Sequence, residues 1–232
     1  DTVVISTSNS RPVAEAGADQ GGQLGTIITL DGSQSSDVDG DSLTYQWSLT
    51  TPNSSTATLT DPSSVTPSFT IDVFGAYTAT LTVHDGTVAS APDTVVINTL
   101  NSPPVAHAGA DTAGQVGQTI TLDGSGSSDV DGNGLTYQWS LLSRPTGSTA
   151  TLQGADTALP SVSLDKAGTY VAQLLVNDGL AESAPDTVTI STLNSKPVAD
   201  AGAAQSGTVG TAVQLDGSNS SDVDGDRLTY QW

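Results

Sequence analysis

The chain has 232 residues, and its 25 acidic side chains against 5 basic ones give a formal net charge of −20. Nucleic acids and anionic membrane surfaces are bound through clustered Lys and Arg, so neither is predicted as a partner. No apolar run approaches the ~18 residues of a membrane-spanning helix, and the lack of cysteine excludes disulfides, thiol catalysis and cysteine-ligated metals.

A repeat of about 92 residues organises the sequence. The motif Asp-Gly-Ser-X-Ser-Ser-Asp-Val-Asp-Gly begins at Asp31 and recurs at spacings of 92 and 93 residues, at Asp123 and Asp216. The phase of this repeat predicts four segments: the last strand of a preceding repeat at 1–8, complete repeats at 9–100 and 101–193, and the first part of a third at 194–232. The lack of an initiator methionine predicts that the chain is a window from a longer tandem array.

Within the first complete repeat, apolar residues alternate with polar ones, which is typical of half-buried strands. The strands predicted in chain order are 24–30, 43–49, 55–59, 67–71, 77–83 and 93–98. Asp-Gly and Thr-Pro pairs between them favour turns. No stretch has helical apolar spacing over three turns, so the predicted class is all-β, and the repeat length suits a small sandwich of ~100 residues.

Two aromatic positions narrow this prediction. Each repeat has one tryptophan in a central strand, and each complete repeat has the pattern Asp-x-x-Gly-x-Tyr, which ends at Tyr77 and Tyr170. A tyrosine that opens the penultimate strand after a glycine turn is typical of the tyrosine corner of Greek-key sandwiches. We expect the tryptophan and the tyrosine to pack in the core and not to form an aromatic ligand platform.

These motifs together resemble the polycystic kidney disease (PKD) domain. The similarity rests on the segments 12–19, 30–33, 36–47, 75–86 and 90–95, and it recurs in the second repeat and in the truncated third. The resemblance implies tandem immunoglobulin-like (PKD-type) seven-stranded Greek-key β-sandwiches. In bacteria it implies an extracellular or cell-surface protein, in which such domains serve as spacers, adhesive modules or substrate-contacting accessories, and several bind calcium near the linkers.

The acidic loop of each repeat is the strongest candidate site. Three carboxylates within five residues repel one another unless a cation neutralises them, and Ca²⁺ is held by Asp, Asn and backbone oxygens. The candidate ligands are Asp37, Asp39, Asp41, Asp129, Asp131, Asn133, Asp222, Asp224 and Asp226. The spacing is not that of an EF-hand, because the glycine follows the second acid and Ser48 stands at the twelfth position. The alternative is a solvated Asp-Gly turn whose side chains cap their own backbone.

Further oxygens that could complete such a site come from the Asn-Ser pair that begins each repeat and from the aspartate that begins the acidic motif. The pairs are 9–10, 101–102 and 194–195, and the aspartates are Asp31, Asp123 and Asp216. Turn capping is the alternative for both groups. A bound ion would tie the loop to the linker and stiffen the joint between domains.

No arrangement for catalysis is found. His84 is replaced by Asn177 in the next repeat, and His107 by Glu15 and Asp200, and neither a nucleophile elbow nor a phosphate loop is present. The prediction is therefore a non-catalytic extracellular array, a spacer or fibre-forming segment of a large surface or secreted protein. Its partners would be neighbouring repeats and other copies in a fibre. The alternative is an accessory module of a secreted hydrolase that contacts glycan or protein.

Overall fold

The computed structural model describes residues 1–6 and 8–232. The chain forms two compact units, one comprising Asp1–Ser102 with Val130–Gly132 and the other Pro103–Asp129 with Asn133–Trp232. Each unit is considered by itself below. The strand predicted at 1–8 includes Thr7, which lies outside the described residues, and residues 1–6 and 8 form no strand.

The first unit contains the first complete repeat as two facing sheets. Its strands are β1 (Gln20–Gly22), β2 (Ile27–Thr29), β3 (Thr44–Thr50), β4 (Ser68–Thr70), β5 (Ala76–His84) and β6 (Asp93–Thr99). One sheet has the order β1-β6-β5-β3, in which β1 runs parallel to β6 and the other pairs are antiparallel. The second sheet is the antiparallel pair β2-β4. Strands distant in sequence are thus neighbours, as in an immunoglobulin-like sandwich.

The second unit repeats this arrangement with one more strand. Its strands are β7 (Thr112–Gly114), β8 (Thr119–Thr121), β9 (Thr136–Ser143), β10 (Leu152–Gln153), β11 (Ser161–Ser163), β12 (Thr169–Asn177) and β13 (Asp186–Thr192). The sheets have the orders β7-β13-β12-β9 and β10-β11-β8. Residues 194–232, all of which are described, contain an isolated bridge between Val198 and Ser221 and no strand.

The all-β prediction is confirmed, and three of the predicted strands, 43–49, 77–83 and 93–98, correspond closely to β3, β5 and β6. The strand predicted at 55–59 is wrong for the first repeat, where an isolated bridge joins Thr60 to Ser68. Its counterpart in the second repeat is the two-residue β10. The parallel strand β1 was not predicted.

The alternating residues of the long strands form the core of each unit. In β5 the side chains of Tyr77, Ala79, Leu81 and Val83 are all fully buried, and Trp47 of β3 lies opposite Leu81. In the second unit Trp139 and Leu174 are paired in the same way. Burying each large apolar side chain stabilises the fold by ~1.5–3 kcal/mol. The core assignment of the tryptophans and tyrosines is confirmed in both complete repeats.

The tyrosine corner adds hydrogen bonds to this burial. The Tyr77 hydroxyl donates to the carbonyl of Val73 (2.8 Å) and accepts from the backbone N–H groups of Asp72 (3.2 Å) and Val73 (3.0 Å). It also lies 2.9 Å from Oδ1 of Asp72. Tyr170 makes the corresponding contacts with Asp165 and Lys166. The turn before the penultimate strand is therefore fixed to the core by one side chain.

Candidate functional site

The acidic loop of the first repeat lies between β2 and β3 and turns at Gly40, whose φ is +82°. Asp37 organises the loop: its Oδ1 accepts from the backbone N–H of Asp39 (2.8 Å) and of Asp41 (3.4 Å). This is the Asx-type capping that the alternative interpretation predicts. The capping uses Oδ1 of Asp37 and brings the other carboxylates of the loop towards the same point.

The three carboxylates fit a single hard cation. One oxygen from each of Asp37, Asp39 and Asp41 lies within 4.8 Å of the other two. Oxygens that share a Ca²⁺ ion at ~2.3–2.6 Å are at most ~5 Å apart, so these three atoms are compatible with one ion. Oδ2 of Asp37 is buried and has no hydrogen-bond partner among the described residues. Buried carboxylate oxygens are normally satisfied, and a cation would satisfy this one.

The other repeats share the backbone capping of this loop, but among the described residues only the first loop brings three carboxylate oxygens within 4.8 Å of one another. In the third, Oδ1 of Asp222 accepts from the N–H groups of Asp224 (2.9 Å) and Asp226 (3.4 Å), and Oδ1 of Asp224 is buried without a partner among the described residues. In the second, Oδ1 of Asp129 accepts from the N–H of Asn133 (3.1 Å). Asn133 can offer an amide oxygen but no charge, so calcium would be bound more weakly by this loop.

The linker serine of each repeat contacts the middle acid of the loop. The N–H of Ser10 donates to Oδ2 of Asp39 (2.5 Å), and that of Ser102 donates to Oδ2 of Asp131 (2.6 Å). Ser195 makes the same hydrogen bond to Asp224. The loop and the first residues of the repeat are therefore adjacent at all three positions, and the contact uses a backbone N–H group. The participation of linker oxygens in a cation site stays a prediction.

The aspartate that begins each acidic motif caps a local turn. Oδ1 of Asp31 accepts from the N–H of Ser33 (2.9 Å), and the pKa of Asp31 is held below its usual value by this bond first. Asp123 and Asp216 make the same bond to Ser125 and Ser218. These three aspartates therefore cap turns, as the alternative interpretation predicts.

Asp85, whose Asp-Gly pair predicts only a turn, also contacts the linker. Asp85 follows β5, and Oδ1 accepts from the N–H groups of Thr87 (2.6 Å) and Val88 (2.7 Å). Oδ2 accepts from the Asn9 side-chain amide (2.9 Å). The hydrogen bond from Asn9, followed by those of this turn, lowers the pKa of Asp85 to about 2, although burial opposes the shift. The buried carboxylate is therefore charged at neutral pH.

A half-buried acid stabilises the tyrosine corner. Oδ1 of Asp72 accepts from the Ser55 hydroxyl (2.5 Å), and Oδ2 accepts from the N–H of Thr56 (2.6 Å). The hydrogen bond from Ser55 is the main reason that the pKa of Asp72 lies far below its usual value, and Asp165 is held in the same way by Ser148.

These shifts predict an acid-sensitive fold. Because the native-state pKa of Asp72 is depressed, its stabilising contribution is complete above the unfolded-state value of ~3.9 and is lost as the pH falls towards the native value. We expect the melting temperature to fall steadily below pH ~4. Asp72→Asn turns an amide towards the N–H of Thr56, so it should lower the melting temperature at pH 7 and flatten the acid limb. The exposed Asp61→Asn should keep the wild-type profile, and equal slopes for all three proteins would contradict the assignment.

The two histidines occupy turn positions. Nδ1 of His84 accepts from the N–H of Gly86 (2.8 Å), which Oδ1 of Asn177 does with Gly179 (2.7 Å) in the second repeat. His107 accepts from Gly109 in the same way, as Asp200 does from Gly202. A histidine Nδ1, an amide oxygen and a carboxylate oxygen are interchangeable as acceptors two residues before a glycine. This explains the exchange of His84 for Asn177 and of His107 for Asp200.

The fold and the loops define a class: tandem immunoglobulin-like β-sandwiches, each with an acidic loop next to its linker. A family model described as the PKD domain of the K319L-like type matches residues 16–99 and 108–192, and a second PKD-domain model matches 194–232. The chain therefore belongs to the PKD domain family, as a tandem array.

Three known proteins to which the chain is similar differ in sequence identity and in the share of the chain that they match. The dyslexia-associated protein KIAA0319-like protein of Mus musculus is 35% identical over 95% of this chain, which covers 22% of that protein. Chitinase A of Pseudoalteromonas piscicida is 31% identical over 50% of the chain, which covers 14% of the enzyme. The solution structure of the PKD domain from KIAA 1837 protein is 29% identical, with a TM-score of 0.34, over 40% of this chain and 89% of that domain. The chain thus spans about a fifth or less of these two full-length relatives.

None of the elements formed by residues 1–6 and 8–232 is a helix with the length and apolar character needed to cross a membrane.

Proposed function

We propose that this chain is a non-catalytic structural segment of a longer extracellular or cell-surface protein. In this role it spaces or builds a surface array or fibre, and neighbouring repeats and further copies are its partners. The observation that carries the proposal is the tandem repetition of PKD domains, each of which begins with a serine hydrogen-bonded to an acidic loop. Tandem copies of one domain without a catalytic arrangement suit a spacer or fibre-forming array.

Calcium in the acidic loops is part of this proposal. The three carboxylates of the first loop lie within reach of one ion, and a buried carboxylate oxygen there lacks a donor among the described residues. Backbone carbonyls and water would supply the remaining oxygens. The ion would neutralise the loop next to the linker and stiffen the joint, and it would reduce the self-repulsion of a chain with a net charge of −20.

Calcium titration tests this proposal. Extracellular calcium modules have dissociation constants of ~10⁻⁴–10⁻³ M, so ~10 mM calcium should stabilise each occupied loop by up to ~2.7 kcal/mol and raise the melting temperature. Calorimetry should show binding heat that is reduced in Asp37→Asn and retained in Asp61→Asn, which removes one charge outside the loop. Asn133→Asp should strengthen binding at the second loop. Absence of binding heat together with an unchanged melting temperature would overturn the calcium proposal.

The second candidate is an accessory module of a secreted hydrolase. It is favoured by the similarity to chitinase A over half of the chain. A binding screen of residues 9–193 against chitin and other glycans distinguishes the two functions. Saturable binding would favour the accessory module, and its absence would favour the structural array.

A further inference from the structure

The hydrogen bond between Asp85 and Asn9 connects residues 76 positions apart and crosses from the end of β5 to the linker. The Asp85 side chain is fully buried, whereas Asn9 is exposed. A buried charged carboxylate must be satisfied by donors, and its geometry is therefore fixed by the domain. The linker residue, in contrast, has the conformational freedom that the bond removes.

The side-chain amide of Asn9 orients the linker by donating two hydrogen bonds. Nδ2 donates to Oδ2 of Asp85 (2.9 Å) and to the carbonyl oxygen of Ser10 (2.9 Å). The second bond fixes the peptide that follows Ser10, and the N–H of Ser10 itself donates to Asp39. Asp85 on one loop and Asp39 on the other thus hold two consecutive linker residues.

We infer that Asp85 is a positioning residue for the linker: it anchors Asn9, and it thereby keeps Ser10 against the middle acid of the calcium loop. The calcium part of this inference rests on the proposed function, whereas the anchoring of the linker does not. The anchor operates without metal, because every bond in it is between protein groups. A cation that attracts Asp39 therefore acts on a linker that is already in place.

Two observations from the other repeats bear on this role. Asp178 forms the same buried turn in the second repeat, where Oδ1 accepts from the N–H groups of Leu180 and Ala181. In the third repeat, the N–H of Ser195 donates to Asp224, so the serine contact recurs at the start of every repeat.

Hydrogen exchange of the Ser10 amide in the whole chain, measured at pH 7 in chelator, tests the anchor without metal. Asp85→Asn keeps Oδ1 for the turn but presents an amide to the Asn9 amide, so the two donors oppose each other. We expect Ser10 to exchange about tenfold faster or more, because local opening becomes easier. Asn9→Ala should have a similar effect without altering a buried group. Asp178→Asn, the equivalent change in the second repeat, should leave Ser10 unchanged.

The double variant separates anchoring from a general effect on the fold. If Asp85 acts through Asn9, exchange in the Asn9→Ala and Asp85→Asn double variant should be no faster than in the faster single variant. Additive effects, or wild-type exchange in Asp85→Asn, would overturn the inference.

Calcium affinity is the second readout. Asp85→Asn should weaken calcium binding at the first loop about tenfold, as changes that misplace the support of a metal site do. Wild-type affinity in this variant would overturn the link between the anchor and the metal. If the unaltered chain bound no calcium while Ser10 exchange still depended on Asp85, the calcium proposal would fail and the anchor would stand.

Discussion

Leu81→Ala is expected to lower the free energy of unfolding of the first unit by about 2–5 kcal/mol. Leu81 lies in β5, is fully buried, and is opposite Trp47 of β3 and Asp93 of β6 in the sheet register. Both side chains pack closely against Gly32, where an added Cβ would lie 3.0 Å from Cδ2 of Leu81 and 3.2 Å from Cζ2 of Trp47. The tryptophan is held by its strand, so the space vacated by the leucine cannot close, and a cavity remains.

Thermal unfolding followed by circular dichroism measures this effect. A change of 1 kcal/mol shifts the melting temperature of a domain of this size by ~4–8 °C, so a fall on the order of 15 °C is expected. Thr80→Ala is the matched control, because Thr80 is the neighbouring residue and faces outward; its cost should stay below ~1 kcal/mol. Equal shifts for the two variants would contradict the assignment of Leu81 to the core. Leu174→Ala makes the same test in the second unit.

Strands with a buried face were predictable because burial itself imposes a period of two on the sequence. In β3, β5 and β6 every second side chain enters the core, and the alternation follows from that geometry. The segment 55–59 shows where this inference fails. Ala57 and Leu59 pack against the core, so the alternation is real, yet the segment forms no strand. Alternation indicates which side chains are buried and not whether the backbone has a hydrogen-bonded neighbour.

Strand β1 is the opposite case: it is a strand whose sequence shows no alternation, and so it could not be predicted. Its three residues, Gln20–Gly22, pair with Ile97–Thr99 through the backbone, and two of them are glycines without side chains. The pairing depends on a partner 77 residues away and leaves no local pattern. A parallel neighbour of this kind follows from the topology alone.

The candidate site also has one part that the local sequence predicts and one part that depends on the fold. The spacing of Asp37, Asp39 and Asp41 is local, and a turn at Gly40 is enough to bring the three carboxylates together. The contact of Asn9 with Asp85 is not local, and it exists because the end of β5 lies beside the start of the repeat. One signal was available: both residues recur at the same phase in the next repeat, as Asn101 and Asp178. When two polar residues that are distant in sequence recur together in successive repeats, and neither has an evident local role, a contact between them in the fold is indicated.

Gly75→Ala is expected to destabilise the first unit by about 3–5 kcal/mol, since it combines two separate costs. The backbone of Gly75 has a φ of +144°, a conformation that residues with a side chain rarely adopt. A Cβ at this position would lie 2.9 Å from Cγ and 3.0 Å from Cβ of Pro52. The residue cannot move away, because its N–H donates to Oγ1 of Thr99 and its carbonyl accepts from the N–H of Thr99.

Gly25→Ala separates the two costs. Gly25 has a φ of +81° but no atom within 4 Å of the added Cβ, so only the backbone term of ~1–2 kcal/mol applies. In a Pro52→Ala background, which removes the nearer of the two close atoms, the cost of Gly75→Ala should fall. Chemical denaturation of the wild type, the three single variants and the Gly75→Ala/Pro52→Ala double variant measures all of these differences. If Gly75→Ala cost no more than Gly25→Ala, contact with Pro52 would not be the reason for this glycine. A Cβ at Gly168 would likewise lie 2.9 Å from Cγ of Pro145, so the same result is expected in the second unit. There too the glycine precedes the strand that begins with the tyrosine corner.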